Sequence, residues 1–514
     1  MGVNKKGMVR REDVLQGQGT RHPEWHFTSF YAWLKQEGFF CKNDTFFQVI
    51  DKIAHPCSVR DISLYVENNL FYERNKQGKV VKYFSDHLEM FNRNRGRYIS
   101  EKNLMMSLGE MTKRELRDDK FHAYFPFLNG IVVVDQNFIE LLPYEKVLVN
   151  DNVIVFEDKI IKHNVEVKTR EQAMTSDFAD FCKKAIDGED SGTRGYTYLM
   201  RAIGYMLHGY KDPATAKMVF FSDCNNAHGI SEGRTGKSLI AQVALRQMRN
   251  LAVVDGKQFD YKDKFMLDNV DESTDIVCMQ DMRKNFNQET LYNLITGDFQ
   301  IGKKYKSKEV IPFEVAPKII ADSNFSIRLT GGSDFARIIT IGFGHFFNYR
   351  NTPADYYGKR FFDDWNDTEY DKFYSFMFQC VSDYLNKGVK SYKFQELMAF
   401  SIYNRFPLEL CGEIAEILKD KDNFFLQPSP TYKWWDQIGY FNSVATDMSN
   451  IAKLRMVTDI MREFGYTKFT QVKTIHATVE EERHGKKDTK IQLHWFKKIS
   501  SLGVEKAINF TPTE

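Results

Sequence analysis

The 514-residue chain predicts an α/β fold, with a mainly helical N-terminal region and a C-terminal winged-helix-like domain, on three observations. Short apolar runs at residues 218–221, 251–254, 276–279 and 318–321 alternate with helix-patterned segments, as in a sheet whose strands are joined by helices. The first run leads through a glycine-containing loop into Gly236, Lys237 and Ser238, after which Leu239, Ile240, Val243, Ala244 and Met248 recur at helical spacing. Near the C-terminus, an amphipathic helix over residues 451–464 stops at Gly465 and is followed by a basic, strand-like stretch.

Composition narrows the function classes. The chain is 42% hydrophobic and 27% charged with a formal net charge of +2, the balance of an ordinary globular protein rather than a disordered or strongly basic one. Any contact with nucleic acid must therefore come from local basic patches. At roughly one domain per 150 residues, about three domains are expected. The seven cysteines (Cys41, Cys57, Cys182, Cys224, Cys278, Cys380, Cys411) are scattered and never form a CxxC pair, which argues for a reducing compartment. No run approaches the ~18 apolar residues of a membrane span, so a cytoplasmic location without membrane partners is expected. Gly2 is not a myristoylation site, because Lys6 stands where Ser or Thr is needed.

Taken in order, residues 1–120 form an α-rich region of unassigned role, with aromatic clusters around Trp25, Phe30, Trp33 and Phe39 and a helix expected over 46–54. Residues 121–210 begin as β structure around an Asn129-Gly130 turn, with further strands at 147–149 and 153–156. They then turn helical over 179–186 and 198–207. Residues 211–350 hold the α/β core, 351–427 are helical, and Pro428-Ser429-Pro430 opens the C-terminal domain, 428–514. In that domain Lys468, Lys473, Arg483, His484, Lys486, Lys487 and Lys490 surround a turn at Gly485, the make-up of a wing laid on a phosphate backbone or of a solvated hairpin.

The loop chemistry is that of a phosphate-binding P-loop. Backbone N–H groups of Gly233, Arg234, Thr235, Gly236, Lys237, Ser238 and Leu239 can wrap a triphosphate at a helix N-terminus. Lys237 can reach the β- and γ-phosphates, and the Ser238 hydroxyl can bind Mg²⁺. Ser231 stands where the GxxxxGKS/T pattern has its first glycine. The strand 276–279 ends at Gln280 and Asp281, and Asp281 is the acid placed to hold Mg²⁺ and polarise water. A further strand leads to Asn324, whose amide can sense the γ-phosphate. Between them Lys303, Lys304, Tyr305 and Lys306 alternate charge with an aromatic, which suits a hairpin tip on a nucleic-acid backbone. Arg337 precedes another apolar strand and can serve a neighbouring subunit's nucleotide. His22 and His26 are four apart, but Pro23 opposes a shared helix, so no metal site is expected there. Adjacent Trp434 and Trp435 read as packing.

This order of Walker A loop, Walker B acid, lysine-rich hairpin, Asn-terminated strand and arginine resembles the superfamily 3 helicases, and is most similar to the poxvirus and phage primase-helicase family. Residues 127–131 (Phe-Leu-Asn-Gly-Ile) and 201–205 (Arg-Ala-Ile-Gly-Tyr) resemble that family's upstream module. The resemblance covers about residues 120–350. It implies an AAA+-like core and an ATP- and Mg²⁺-dependent DNA helicase, with Lys237, Asp281, Asn324 and Arg337 as catalytic residues and Ser238 and Asp281 at the metal. It implies Lys304 and Tyr305 at the DNA-contacting tip. It also implies a homo-oligomer, a hexamer, acting on single-stranded or forked DNA in virus or mobile-element replication, in the host cytoplasm if viral, with a separate primase or initiator as partner. Gln280 departs from the family's paired acids. A non-helicase P-loop ATPase, or an origin-binding initiator with weak hydrolysis, is the alternative; no primase activity is expected.

Overall fold

The computed structural model describes residues 8–16, 24–75, 77–109, 112–150, 152–187, 193–223, 233–260, 263, 265–283, 286–302, 309–325, 327, 329, 332–390, 406–418, 423–426, 438–463, 466–475 and 489–498. The chain divides into two compact units, 1–167 and 168–514. In the first, helix α1 (Phe27–Gln36) leads into strands β1 (Phe39–Lys42), β2 (Thr45–Ile50) and β3 (Ile53–Cys57), then helix α2 (Val59–Asn69). A short strand β4 (Arg114–Glu115) follows, then the antiparallel strands β5 (Ala123–Phe127), β6 (Gly130–Val134) and β7 (Ile139–Leu142), and finally β8 (Val153–Phe156).

A five-stranded sheet in the order β1-β2-β3-β8-β4 carries this unit across the boundary expected at residue 120. The helix expected over 46–54 is instead the hairpin β2–β3. Asp51 and Lys52 both adopt positive φ (49° and 68°), which makes a two-residue turn, and Phe46, Phe47, Val49, Ile50 and Ile53 favour a pleated surface over a helix. The strand expected at 147–149 is likewise replaced, by one helical turn (Tyr144–Val147) entered from Pro143, with Leu148 buried behind it. The Asn129-Gly130 turn does join β5 to β6, in the register Phe127↔Gly130. The N-terminal core is aromatic: Trp25 contacts Phe30, Phe71, Phe91 and Tyr98 with centroids 4.5–6.0 Å apart.

In the second unit helices α3 (Asp177–Asp187) and α4 (Thr193–Leu207) precede strand β9 (Met218–Asp223). A π-helical segment, Leu239–Ala244, follows the loop, then come β10 (Leu251–Asp255), β11 (Ile276–Gln280), a hairpin of β12 (Phe299–Ile301) with β13 (Glu309–Ile311), β14 (Lys318–Asp322), helix α5 (Gly332–Arg337) and β15 (Ile338–Phe343). The expected apolar runs form one parallel sheet in the order β10-β11-β14-β9-β15. All residues of β9, β14 and β15 are buried, as continuous apolar runs in a parallel sheet require, while the edge strand β10 is partly exposed.

The long helix α6 (Asp367–Lys387) packs on α4 so closely that a Cβ at Gly204 would lie 2.0 Å from the Cys380 carbonyl oxygen. Only glycine fits that crossing. The buried Lys318 ammonium donates to the Tyr205 carbonyl oxygen at 2.7 Å and to that of His208, and stands 4.0 Å from the Tyr205 ring centroid. It thus places a cation at the negative end of α4 and ties that helix to the start of β14. Lys211 is also buried, 4.3 Å from the centroid of Phe313, with no hydrogen-bond partner for its Nζ among the described residues. Burial pushes its pKa down to about 8, partly countered by Glu314 and Asp298.

Farther along lie helices α7 (Leu408–Leu418), α8 (Gly439–Ser443) and α9 (Asn450–Glu463). The strands β16 (Asn423–Leu426), β17 (Tyr466–Ile475) and β18 (Thr489–Lys498) form an antiparallel sheet in the order β16-β18-β17. The helix expected at 451–464 and the hairpin after it are present, but the basic turn around Gly485, Trp434 and Trp435 lie outside the described residues.

Candidate nucleotide site

The loop 233–238 sits at the C-terminal edge of the parallel sheet, immediately beyond the level of Asp223, the last residue of β9. Three of its residues adopt positive φ: Gly233 (63°), Arg234 (60°) and Gly236 (95°). Left-handed backbone of this kind occurs in the nests of successive N–H groups that cradle anions. Gly236 is required for a second reason. A Cβ there would lie 2.6 Å from Cζ of Phe181, a fully buried ring of α3, so the loop rests directly on that ring.

Lys237 is 5% exposed and its Nζ is ion-paired with the carboxylate of the fully buried Asp223. Its Nζ also donates to Thr235 Oγ1 at 3.0 Å, and the Thr235 hydroxyl donates to Asp223 Oδ1 at 2.7 Å. Lys237 is therefore held from below by the strand that leads into its own loop.

Strand β14 lies between β9, which precedes the loop, and β11, which precedes Asp281, so its C-terminal residues fall between that loop and Asp281. Asp322, 1% exposed, accepts the Asp281 N–H through Oδ1 at 2.8 Å and faces the Ser238 hydroxyl with Oδ2 at 3.4 Å. Burial raises its pKa above the ordinary carboxylate value. The Asp281 N–H and the charge of Lys237 pull it back, and the charge of Asp281 adds to the rise. Ser323 fixes this corner, its N–H donating to the Phe221 carbonyl at 2.9 Å and its hydroxyl to that of Met282 at 2.7 Å. The Asn324 amide lies beside the loop, with both terminal atoms 3.6 Å from where a Cβ of Gly233 would be.

Of the residues singled out in the sequence, Lys237, Ser238 and Asn324 are gathered at this edge. Asp281 is there through its backbone; its own φ is 56° and its carboxylate pairs with Lys257 at 3.1 Å, largely in solvent. Arg337 stands elsewhere. It precedes Ile338, which pairs with Met218 at the opposite end of the sheet, about one strand length (~17 Å) away. Its guanidinium lies 5.0 Å from the Tyr292 ring centroid and donates to the Ser333 carbonyl oxygen at 3.4 Å. Lys303, Lys304, Tyr305 and Lys306 lie outside the described residues, between the strands β12 and β13 that pair in the expected hairpin. Two carboxylates escaped the sequence reading, Asp223 and Asp322. Each ends a buried apolar strand, and that position was the available signal.

The oxygen donors here suit a hard cation such as Mg²⁺, which takes one or two carboxylates and completes its shell with phosphate and water. Among the described residues no group of three or more His, Cys, Asp or Glu side chains forms a metal cage. Among them, too, no helix is long and apolar enough to cross a membrane.

No family model matches the chain, and no curated protein matches it. Among solved structures it is similar to an apo form of the NrS-1 C-terminal region, with 9% identity over 74% of this chain and 97% of that one and a TM-score of 0.30. A second structure of that region gives 10% identity, 67% and 83% coverage and a TM-score of 0.29. A ligand-bound JCV helicase gives 13% identity, 58% and 66% coverage and a TM-score of 0.23.

Proposed function

We propose that this chain is an ATP-hydrolysing DNA helicase of the superfamily 3 type, replicative, and active as a ring whose ATP sites lie at subunit interfaces. The observation that carries the reading is the meeting of Lys237, Ser238, Asp322 and Asn324 at one edge of a parallel sheet, around a loop with three positive-φ residues. In this reading the loop N–H groups and Lys237 bind the β- and γ-phosphates. Ser238 and the Asp281 carboxylate would hold Mg²⁺, which when bound neutralises phosphate charge. Asp281 is available for this because its pair with Lys257 is an exposed one, worth about 0–1 kcal/mol. Arg337, remote from its own loop, serves the neighbouring subunit's nucleotide in a hexamer. Lys304 and Tyr305 grip single-stranded or forked DNA, and the C-terminal helices and basic hairpin act as a winged-helix-like DNA contact.

One observation favours the alternative of a P-loop ATPase or origin-binding initiator with weak hydrolysis: Lys237 is already engaged by Asp223. ATP hydrolysis and strand separation on a forked duplex decide between them. Lys237→Ala is expected to abolish both. Lys304→Ala with Tyr305→Ala is expected to abolish unwinding and DNA-stimulated hydrolysis while leaving basal hydrolysis in place. Unwinding at the wild-type rate by the double variant at low and moderate salt overturns the hairpin assignment, and a wild-type chain that hydrolyses ATP but never separates strands favours the alternative.

A further inference from the structure

In the N-terminal unit, the stretch from Phe71 to Phe84 folds as a hairpin of Tyr72–Arg74 with Val80–Tyr83. Its root belongs to the core: Phe71 and Phe84 are buried, and the Phe84 N–H donates to the Phe71 carbonyl oxygen at 3.0 Å. Its body does not. All four residues of Val80–Tyr83 are exposed, Val81 by 59% and Tyr83 by 45%, and among the described residues the two strands pair only with each other. A two-stranded hairpin is marginal by itself. This one is fixed at both ends, at the root by the two phenylalanines and at the tip by Asn75, whose Oδ1 accepts the N–H groups of Gln77 and Lys79 at 3.0 and 2.9 Å.

The surface so presented is a stack of rings among cations. Tyr72 and Tyr83 are directly paired, so both side chains project from one face, and their rings lie 8° from parallel with centroids 5.0 Å apart. Arg74, two residues on, joins that face with its guanidinium 5.7 Å from the Tyr72 centroid. Between residues 72 and 83 stand four cationic residues, Arg74, Lys76, Lys79 and Lys82, and one acid, Glu73. Lys82 also pairs with Glu12 at 3.6 Å, through side chains about half exposed, a contact that solvent weakens. An uncharged apolar patch would suit a protein partner, whereas stacked aromatic rings in an excess of cations suit bases and the phosphates between them.

We infer that this hairpin is a binding platform for single-stranded nucleic acid: a base stacks on the Tyr72–Tyr83 pair, and Arg74 and Lys79 contact the phosphates beside it. Bases inside a duplex are stacked on one another and do not reach such a platform. The site is separate from the nucleotide loop, so its test omits ATP and stands whether or not the chain hydrolyses it.

The test uses the full chain. An oligodeoxythymidylate carrying 5-iodouracil is irradiated with the wild type and the adduct mapped by mass spectrometry; it is expected on Tyr72 or Tyr83. In fluorescence titrations of the same strand, Tyr83→Leu, which keeps an apolar residue in the hairpin, should weaken binding by about 5–150-fold, as loss of one base–aromatic stack does. Arg74→Gln with Lys79→Gln should flatten the slope of log affinity against log salt by about 1.4, at about 0.7 for each phosphate contact on a single strand. A ribo-oligonucleotide is tested beside the deoxy strand: an adduct with either supports the inference, and the tighter binder identifies the strand. Adducts found only elsewhere in the chain overturn it, and so does unchanged affinity in a Tyr83→Leu variant that melts like the wild type. A duplex that suppresses the tyrosine adduct as well as the single strand does also overturns it, because no base then lies on the rings.

Discussion

Asp223→Asn is the perturbation that most directly probes the nucleotide site. In the structure the Asp223 carboxylate takes the Lys237 ammonium and the Thr235 hydroxyl, all three buried. In the proposed ATPase reading, a triphosphate entering the loop must draw Lys237 away from this carboxylate and also sit near its negative charge. Lys237 remains an ammonium in the variant, so what is lost is the buried ion-pair attraction. Removing one partner of a buried pair costs about 3–5 kcal/mol, and the hydrogen bond to a charged group that the amide retains, about 1.5–3 kcal/mol, offsets part of it, so the hold on Lys237 weakens by about 1–2 kcal/mol. Nucleotide binding should tighten by the same amount, roughly 5–30-fold. Linkage fixes a second outcome: the nucleotide-free variant should lose a similar amount of stability and regain it on saturation with ATP. Calorimetric titration with ATP analogue and Mg²⁺, paired with thermal melts with and without nucleotide, measures both. Equal or weaker binding by a folded variant would refute the reasoning and make Asp223 a support that the loop needs rather than a rival for its lysine.

Lys211→Met should stabilise the protein at pH 7. The depression of its pKa from 10.5 to about 8 corresponds to about 3 kcal/mol, fully present below pH 8 and lost as pH rises toward 10.5, against which the contact with Phe313 returns about 1–2 kcal/mol. The variant's advantage, about 1–2 kcal/mol in urea unfolding at pH 7, should shrink by pH 9.5; an advantage that does not change with pH would exclude the titration as its cause. Gly236→Ala combines a φ of 95° with a Cβ 2.6 Å from Phe181, and should lose about 1–3 kcal/mol of stability together with nucleotide binding, read by melting and analogue titration.

The core of the second unit was legible because buried parallel strands are written as uninterrupted apolar runs, and each of the four runs became a strand of one sheet. That Lys237 and Ser238 stand in one loop at the edge of that sheet was legible because Gly-Lys-Ser after an apolar run is a local pattern of fixed spacing. Asp322 was not. Its relation to Asp281 spans 41 residues and exists only because β14 lies beside β11, a lateral neighbourhood that no local pattern encodes. The hairpin at residues 45–57 was misread for a related reason. Its apolar residues also fit a helical stripe, and only the turn at Asp51 and Lys52, neither of them glycine, decides the matter.

The segment Leu239–Ala244 closes with π rather than α geometry, and this reaches beyond local curvature. The buried positions after the loop are Ile240, Ala241, Ala244, Leu245 and Met248, a repeat of four. In a regular helix of 3.6 residues per turn a four-residue repeat drifts steadily around the axis, whereas wider π turns pull it back. The apolar seam therefore runs nearly straight, and the helix lies along its packing partner like a keel, with Ser238 at one end and Met248 at the other. The length of this segment, and not only its composition, therefore sets where the loop that ends at Ser238 stands relative to the buried Met248.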